Sequence, residues 1–294
     1  MSLRRNSLRL LMVPFALMFW QTSRHEIDLS RPRVMGIVNV TPDSFFDGGR
    51  HLATDAARAH CDRLVQEGAD ILDIGGESTR PGAQAPSVQQ EIDRVMPVLE
   101  HACTLGVPVS VDTSSPELMR AALNAGADIV NDVRALRRPG ALQAVAEHAS
   151  CGVCLMHMLG DDPATMQQAP EYDDVVQQVR RFLQDRLDVL VRAGVDATRV
   201  ALDPGIGFGK TPEHNWQLMQ RQSELISLGR PLLVGWSRKS MLGRLTGRGA
   251  EGRLASSLAA VLAAVQRGAH IVRVHDVAET VDALAVWRRA GLAP

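Results

Sequence analysis

The chain has 294 residues, of which 45% are hydrophobic and 22% charged, and its formal net charge at pH 7 is −1. These values are typical of a globular protein and exclude a disordered, fibrous or disulfide-framed chain. The near-neutral charge, without a long basic run, also argues against a nucleic-acid surface, since phosphate binding needs clustered Lys and Arg. A small-molecule ligand is therefore favoured.

The first 30 residues are expected to form an N-terminal extension that only superficially resembles a signal peptide. The apolar run LRLLMVPFALMFW follows Arg4 and Arg5, but the next residues, QTSRHEIDLS, offer no small-x-small cleavage site. The run is also too short to span a bilayer. A mis-assigned start or a leader that packs on the domain is favoured over export. Because the four cysteines make no disulfide framework, we expect a cytoplasmic protein.

From about residue 33 onward, short β-branched apolar runs alternate with longer amphipathic stretches. Strands are predicted at 34–38, 71–74, 107–111, 129–130, 152–156, 200–202, 232–234 and 271–274. The intervening patterns, such as PELMRAALNAG, often end in the glycine typical of a helix C-terminus. Even βα repetition without a dinucleotide-binding fingerprint favours an α/β fold of one domain over 31–294, a (β/α)8 TIM barrel, rather than a doubly wound sheet.

Two short motifs imitate sites that their context contradicts. Cys151 and Cys154 form a CxxC pair, but they lie in the apolar run CGVCLM, which predicts a strand with buried thiols rather than a redox site. The segment DPGIGFGKT imitates a phosphate-binding loop, yet Pro204 stands where that loop needs glycine. We expect the segment to form a wall of the barrel mouth.

Polar residues follow nearly every predicted strand. They are Asn39, Asp73, Asp112, Asn131 with Asp132, His157 after Met156, Asp203, Ser237 to Lys239, and Arg273 with His275. In a barrel these positions converge on one mouth, where such enzymes keep their active sites. A single Asp or Asn there could be a helix cap or turn former, but Lys, Arg and His cannot serve as N-caps. The set therefore predicts an active site, bordered by the glycine-rich loops NVTPDSFFDGG and GGESTRPGAQAP.

The segments MGIVNVTPDSFFDGG, DIGGESTRPGA, SVDT, IVND, DPGIGFGK, LLVGWSRKS and RVHDV resemble those of the bacterial dihydropteroate synthases, in the same order, from residue 33 to about 290. The resemblance implies a pterin-binding (β/α)8 barrel and a transferase of folate biosynthesis. Such an enzyme joins 6-hydroxymethyl-7,8-dihydropterin pyrophosphate to p-aminobenzoate and releases pyrophosphate. The resemblance also implies Mg²⁺ as cofactor, a homodimer and competition by sulfonamides.

The resemblance further assigns a role to each matched position. The residues expected to bind the pterin are Asp112, Asn131, Met156, Asp203, Phe208 and Lys239. Those expected to bind p-aminobenzoate are Phe45, Thr79, Arg80, Pro81 and Ser237. The residues expected to bind pyrophosphate are Asn39, Arg273 and His275, and Asn39 is also expected to be a ligand of the metal. The expected catalytic residues are Asn39, Asp47, Lys239, Arg273 and His275. The implied mechanism is dissociative: pyrophosphate departs before the arylamine attacks.

Two alternatives remain on the sequence. A corrinoid-dependent methyltetrahydrofolate methyltransferase shares the barrel and the pterin edge, but it should lack the TPDSF and STRPG loops and the SRKS lysine that are present here. A non-catalytic pterin-binding paralogue should lose pyrophosphate or loop residues. This chain retains all of them: Asn39, Asp47, Arg80, Lys239, Arg273 and His275. Trp236 stands where a smaller apolar residue is frequent in the family, which raises the hypothesis of altered packing beside Ser237.

Overall fold

Eight parallel strands follow one short antiparallel hairpin in the computed structural model, which describes residues 18–41, 49–78, 85–160, 166 and 170–292. The hairpin consists of β1 (Phe19–Gln21) and β2 (Glu26–Asp28). The parallel strands are β3 (Arg33–Asn39), β4 (Ile71–Gly75), β5 (Val109–Asp112), β6 (Ile129–Asp132), β7 (Gly152–Met156), β8 (Val200–Asp203), β9 (Leu233–Val234) and β10 (Ile271–Val274).

The parallel strands close into a barrel. Hydrogen-bonded neighbours run from β8 through β7, β6, β5, β4 and β3 to β10 and β9. The circle is completed by a parallel bridge between Leu202 and Leu232, where the amide of Leu202 donates to Pro231 at 2.8 Å. The predicted fold is confirmed. The third predicted strand, β5, begins at Val109 rather than at residue 107, since Pro108 has no N–H to donate to the ladder.

Helices connect successive strands and cover the outside of the barrel. They are α1 (Gly49–Gln66), α2 (Val88–Ala102), α3 (Pro116–Asn124), α4 (Ala141–Ala146), α5 (Val175–Arg192), α6 (Pro212–Gln220), α7 (Ser223–Ile226), α8 (Ser240–Thr246), α9 (Leu254–Gln266) and α10 (Val277–Arg289). Local sequence explains several starts: Ser87 and Thr211 form capping boxes with Gln90 and His214. Across the described ranges, no helix combines the length and apolar character needed to cross a membrane.

The hairpin closes the end of the barrel opposite the strand C-termini. Trp20 is fully buried against the innermost layer of strand side chains, and its indole nitrogen donates to the carbonyl of Arg199 at 2.8 Å. That apolar layer contains Met35, Ile71, Ile129, Cys154, Ala201, Leu233 and Ile271. Part of the predicted N-terminal extension thus forms the floor of the barrel. The division of the chain at residue 30 stays a prediction.

The CxxC pair and Trp236 belong to the core. Cys151 and Cys154 are free, fully buried thiols that lie in different layers, one outside the strands and one in the barrel interior. Trp236 is fully buried in the outer layer and stacks on Trp216 of α6, with ring centroids 5.5 Å apart. Its ring therefore packs between strand and helix.

Candidate active site

The barrel interior changes from apolar to charged within one layer of side chains. Residues two apart on a strand point to the same face, so Asp73 lies directly above Ile71 on β4, and Arg273 lies above Ile271 on β10. Asn131 lies above Ile129 on β6 in the same arrangement. The apolar floor therefore carries a polar layer at the mouth.

Arg273 joins two carboxylates in that layer. Its Nε donates to Oδ2 of Asp73 at 2.5 Å, and its Nη2 donates to Oδ2 of Asp112 at 2.7 Å. The amide of Asn131 also donates to Oδ2 of Asp73, at 3.2 Å. Burial raises the pKa of Asp112 above its usual range, and Arg273 opposes that shift. For Arg273, burial alone would lower the pKa, but the two carboxylates hold it above its ordinary value.

Asp203 ends β8 and faces the same space. Its Oδ1 accepts the amide of Gly205 at 2.7 Å. Burial raises the pKa of Asp203 to about 6, against the opposing effects of this hydrogen bond and of Lys239. Gly205 has φ +68°, and a Cβ there would lie 1.9 Å from the carbonyl oxygen of His157. Only glycine fits this turn, which brings the loop after β8 close to the end of β7.

Lys239 and Phe208 face each other across the mouth. The Lys239 ammonium lies 4.5 Å from the centroid of the Phe208 ring, a cation–π contact. Burial lowers the pKa of Lys239 to about 8, while Asp203 opposes the shift. Phe208 packs against the cluster of Met156 with Val133, Met158 and Met166. The aromatic and thioether groups give this side of the mouth flat apolar surface beside a charged edge.

A second lysine, Lys210, is buried behind the loop. Its ammonium donates to the carbonyls of Gly205 and Phe208, both at 2.9 Å, and to that of His157 at 3.3 Å. It also lies 2.9 Å from Nδ1 of His157. Burial lowers the pKa of Lys210 to about 7. The side chain ties the loop after β8 to the residue that follows β7.

Ser237 and His275 lie together at the ends of β9 and β10. Burial, followed by the charge of Arg273, lowers the pKa of His275 to about 4, so the ring is neutral at pH 7. His275 and Asn39 line a cavity of about 570 Å³ between α1 and α10. Arg238 also borders this cavity, where its guanidinium pairs with Asp276.

An ion pair fixes the start of the second glycine-rich loop. Arg134 donates to both carboxylate oxygens of Glu77, at 2.9 and 3.0 Å, and to Ser114 at 2.9 Å. The side chains of Arg134 and Glu77 are only 6% and 10% exposed. This network links the end of β4 to the segments that follow β5 and β6.

The structure brings most predicted site residues to one mouth. Those placed there are Asn39, Asp112, Asn131, Met156, Asp203, Phe208, Ser237, Lys239, Arg273 and His275. Five others, Phe45, Asp47, Thr79, Arg80 and Pro81, lie outside the described residues. Within the described ranges, no three His, Cys, Asp or Glu side chains converge as a metal-binding group.

The sequence includes Asp73 among the polar residues of the predicted mouth but assigns it no individual role, and it assigns none to Lys210, Glu77 or Arg134. Asp73 was visible as a polar residue inside an apolar strand, the position of a side chain that points into a barrel. The two partners of the ion pair follow β4 and β6, which are separated by β5 in the barrel, and opposite charges just after strands of one barrel are a usable signal. Nothing local marks Lys210 as buried.

Comparison with known proteins agrees with this architecture. The family described as pterin binding enzyme matches residues 35–275. The dihydropteroate synthase of Escherichia coli K12 is 51% identical over 261 residues, which cover 88% of this chain and 92% of that protein. The structure of the Xanthomonas albilineans dihydropteroate synthase with 4-aminobenzoic acid superposes with a TM-score of 0.86 and 55% identity, covering 92% and 96% of the two chains. The Yersinia pestis dihydropteroate synthase with a sulfonamide drug gives 0.88 and 47%, covering 94% and 100%.

Proposed function

This chain belongs to the pterin-binding enzyme family and groups with its dihydropteroate synthases, and from that premise we propose how its mouth performs the reaction. The enzyme joins 6-hydroxymethyl-7,8-dihydropterin pyrophosphate to p-aminobenzoate and releases 7,8-dihydropteroate and pyrophosphate. The observation that carries the assignment of roles is the polar layer of Asp112, Asn131, Asp203 and Arg273 directly above an apolar floor.

The pterin is proposed to enter edge first. Its exocyclic amine and ring N–H would donate to Asp203, with Asp112 and Asn131 completing the edge. Lys239 would donate to the ring carbonyl and a ring nitrogen. Met156 and Phe208 would pack on the ring faces, as their shared cluster supports. A ring with the wrong edge would leave these groups unpaired, at a cost of about 1–3 kcal/mol each.

The pyrophosphate is proposed to lie toward Arg273, His275 and Asn39. Neutral His275 can donate from Nε2 while Nδ1 is occupied by Ser237. As the C–O bond to the pterin methylene breaks, the electron pair leaves with the pyrophosphate, and these donors stabilise the charge that develops. The arylamine nitrogen then attacks the cationic methylene and loses its proton to solvent, so no general base is required.

Mg²⁺ suits this end of the site by the chemistry of its donors. The amide oxygen of Asn39, half-buried at the end of β3 beside the cavity, is a hard ligand. Mg²⁺ commonly binds through one or two protein groups together with substrate phosphates, and Asp47 is proposed to lie near it. When bound, the ion would neutralise charge on the departing pyrophosphate.

The outer pocket is proposed to receive p-aminobenzoate. Ser237, buried at the mouth, would border it together with Phe45, Thr79, Arg80 and Pro81. Because the Xanthomonas enzyme is described with 4-aminobenzoic acid and the Yersinia enzyme with a sulfonamide, we expect sulfonamides to compete with p-aminobenzoate here.

A homodimer is proposed from the surface of three adjacent helices. Leu245 of α8, Leu254 of α9 and Val286 of α10 are 67%, 36% and 70% exposed, and a second copy of the chain that covered them would remove apolar surface from water. Light scattering of the purified protein should give the mass of two chains, and Val286→Glu should shift it toward one. We place the enzyme in the cytoplasm, since its four cysteines are free thiols.

The reaction is tested by incubating the purified protein with Mg²⁺ and the pterin pyrophosphate. Consumption should require p-aminobenzoate in stoichiometric amount and should yield pteroate and pyrophosphate equally. Asp203→Ala should abolish pterin binding, whereas Arg80→Ala should weaken use of p-aminobenzoate and spare pterin binding. Absence of pteroate from the wild-type protein would overturn the activity, and transfer of a methyl group from methyltetrahydrofolate to a corrinoid would favour the alternative enzyme.

A further inference from the structure

Asp73 is a buried carboxylate to which none of the proposed substrate contacts gives a function. It lies in the polar layer of the barrel, above Ile71, and is fully shielded from solvent. A charge in such a place is costly unless it is paired. The pairing is supplied by Arg273 at 2.5 Å, with Asn131 as a second donor at 3.2 Å, and both bonds converge on Oδ2.

Arg273 has two carboxylate partners that differ in what else they are proposed to bind. Asp112 forms part of the pterin edge, so a pterin N–H and the Nη2 arm of Arg273 compete for its oxygens. Asp73 pairs in register with Ser110, two residues before Asp112 on β5, so it lies at the deeper edge of the polar layer. No substrate contact is proposed for it. When the pterin takes up Asp112, the Nη2 arm is able to leave that carboxylate, while the Nε arm stays on Asp73.

From this geometry, and resting on the roles proposed above for Asp112 and Arg273, we infer that Asp73 is a positioning residue. It anchors the guanidinium at Nε, so that arrival of the pterin at Asp112 turns the Nη2 arm toward the pyrophosphate. The hydrogen bond to Asn131 has a related effect, because it engages the amide nitrogen and leaves the amide oxygen to accept from the pterin.

Loss of the Asp73 charge should therefore remove the link between binding of the pterin at Asp112 and binding of the pyrophosphate at Arg273. With asparagine at this position, Asp112 becomes the remaining carboxylate partner of Arg273, and the guanidinium stays on it. The pterin must then displace Arg273 from its ion pair with Asp112. The pyrophosphate binds less tightly, because Asp73 no longer fixes the guanidinium of Arg273. The quantity that reports this is the affinity ratio between the pterin pyrophosphate and the same dihydropterin alcohol without pyrophosphate.

The experiment measures both affinities by titration calorimetry in wild type, Asp73→Asn, Arg273→Ala and the double variant. Asp73→Asn should lower the ratio about 10-fold or more, as expected for a lost hydrogen bond between charged groups. In the Arg273→Ala background, Asp73→Asn should leave the ratio unchanged, because the anchor acts through Arg273. An unchanged ratio in Asp73→Asn, or a further fall in the double variant, would overturn the inference.

Two matched controls separate positioning from general damage. Ser110 pairs in register with Asp73 on β5 and is equally buried, so Ser110→Ala should leave the ratio as in wild type. Asp128 is a buried aspartate at the opposite end of the barrel, paired with Arg24; Asp128→Asn should lower stability and leave the ratio intact.

A measurement on the wild type covers the case in which Asp73→Asn does not fold. The Nε–H resonance of Arg273, in protein labelled with ¹⁵N-arginine, should remain slow to exchange before and after the pterin pyrophosphate is added, whereas the Nη2 signals should change. Rapid exchange of Nε–H in the bound state would contradict an anchor at Asp73. A wild-type protein that makes no pteroate would instead refute the proposed function.

Discussion

The hydroxyl of Ser237 lies 3.1 Å from Nδ1 of His275 and also accepts the backbone N–H of His275 at 3.2 Å. Because the His275 ring is neutral at pH 7 and the hydroxyl oxygen already accepts the backbone N–H of the same residue, we assign the hydroxyl as the donor to Nδ1, which places the ring proton on Nε2. The two residues belong to different proposed pockets, one for p-aminobenzoate and one for pyrophosphate. One hydrogen bond therefore connects the two side chains that are proposed to contact the incoming and the departing group.

Replacing Ser237 with alanine should impair both substrates. The KM for p-aminobenzoate should rise, and kcat should fall as His275 loses its fixed tautomer, each by about fivefold for one hydrogen bond. Steady-state kinetics with each substrate varied in turn would measure this. Ser256→Ala, whose hydroxyl donates only to the carbonyl of Arg253 on the outside of the barrel, is the control. An effect confined to p-aminobenzoate would contradict the shared role.

Pterin binding should weaken in acid because of Asp203. Its pKa is raised to about 6 by burial, so the carboxylate that accepts the pterin edge is charged above that pH and protonated below it. The Kd for the dihydropterin should rise about tenfold per pH unit below pH 6. Titrations from pH 5 to 7 would test the dependence, and Asp203→Asn should bind weakly with no inflection in that range. A flat wild-type profile would contradict the assignment.

Lys210→Met should damage both the fold and the pterin pocket. The change keeps most of the length of the side chain but removes the ammonium donor from the carbonyls of His157 and Phe208 and from Nδ1 of His157. The carbonyl of Gly205 loses one of two donors and keeps the backbone N–H of Phe208 at 3.0 Å. We expect a loss of about 1–3 kcal/mol in the free energy of unfolding in urea. The affinity for the dihydropterin should also fall, since Phe208 is released. Butylammonium, but not butanol, should partly restore binding to Lys210→Ala.

The ion pair between Glu77 and Arg134 is buried, so breaking it from one side should be costly. Glu77→Gln should lower the free energy of unfolding by about 3 kcal/mol, because the guanidinium keeps its charge. The double variant Glu77→Leu/Arg134→Leu should lose less than the two single leucine variants summed. Urea denaturation of the wild type, the two single leucine variants and the double leucine variant measures the interaction energy of the pair. Strictly additive losses of unfolding free energy would show that the pair contributes nothing as a unit.

His270 should make the protein sensitive to acid. It is buried, its Nδ1 accepts the amide of Leu232 at 3.1 Å, and burial lowers its pKa to about 4. The unfolded chain therefore takes up a proton near pH 6.5 that the folded chain refuses until about pH 4. Stability contributed above pH 6.5 is lost as the pH falls toward 4. His270→Asn, which keeps an acceptor but does not titrate, should show a shallower loss of unfolding free energy between those limits.

Most of the barrel and its mouth follow from local sequence. Aliphatic residues two positions before Asn131 and Arg273 lie on the same face of their strands, which predicts that Asn131 and Arg273 also point into the barrel. Glycines mark where several helices end. The pairing of Asp73 with Arg273 does not follow, because the two are 200 residues apart and meet only through the register of β3 between β4 and β10. The burial of Lys210 is equally invisible, since it depends on how closely Gly205 lets the loop approach β7. The three-residue strands of the hairpin are too short to show a recognisable alternating pattern, and they are stabilised by tertiary contacts.

The hairpin at the floor also has a consequence for the time course of folding. Trp20 bonds to the carbonyl of Arg199, 179 residues later in the chain, and packs on side chains from strands as late as β10. The hairpin precedes all eight parallel strands in the chain, so it can dock fully only after the last of them has been synthesised. Until then, a large indole and the open end of a half-built barrel are both exposed, the kind of surface that recruits chaperones or aggregates. A late kinetic phase with quenching of Trp20 fluorescence would mark the moment at which the barrel is sealed.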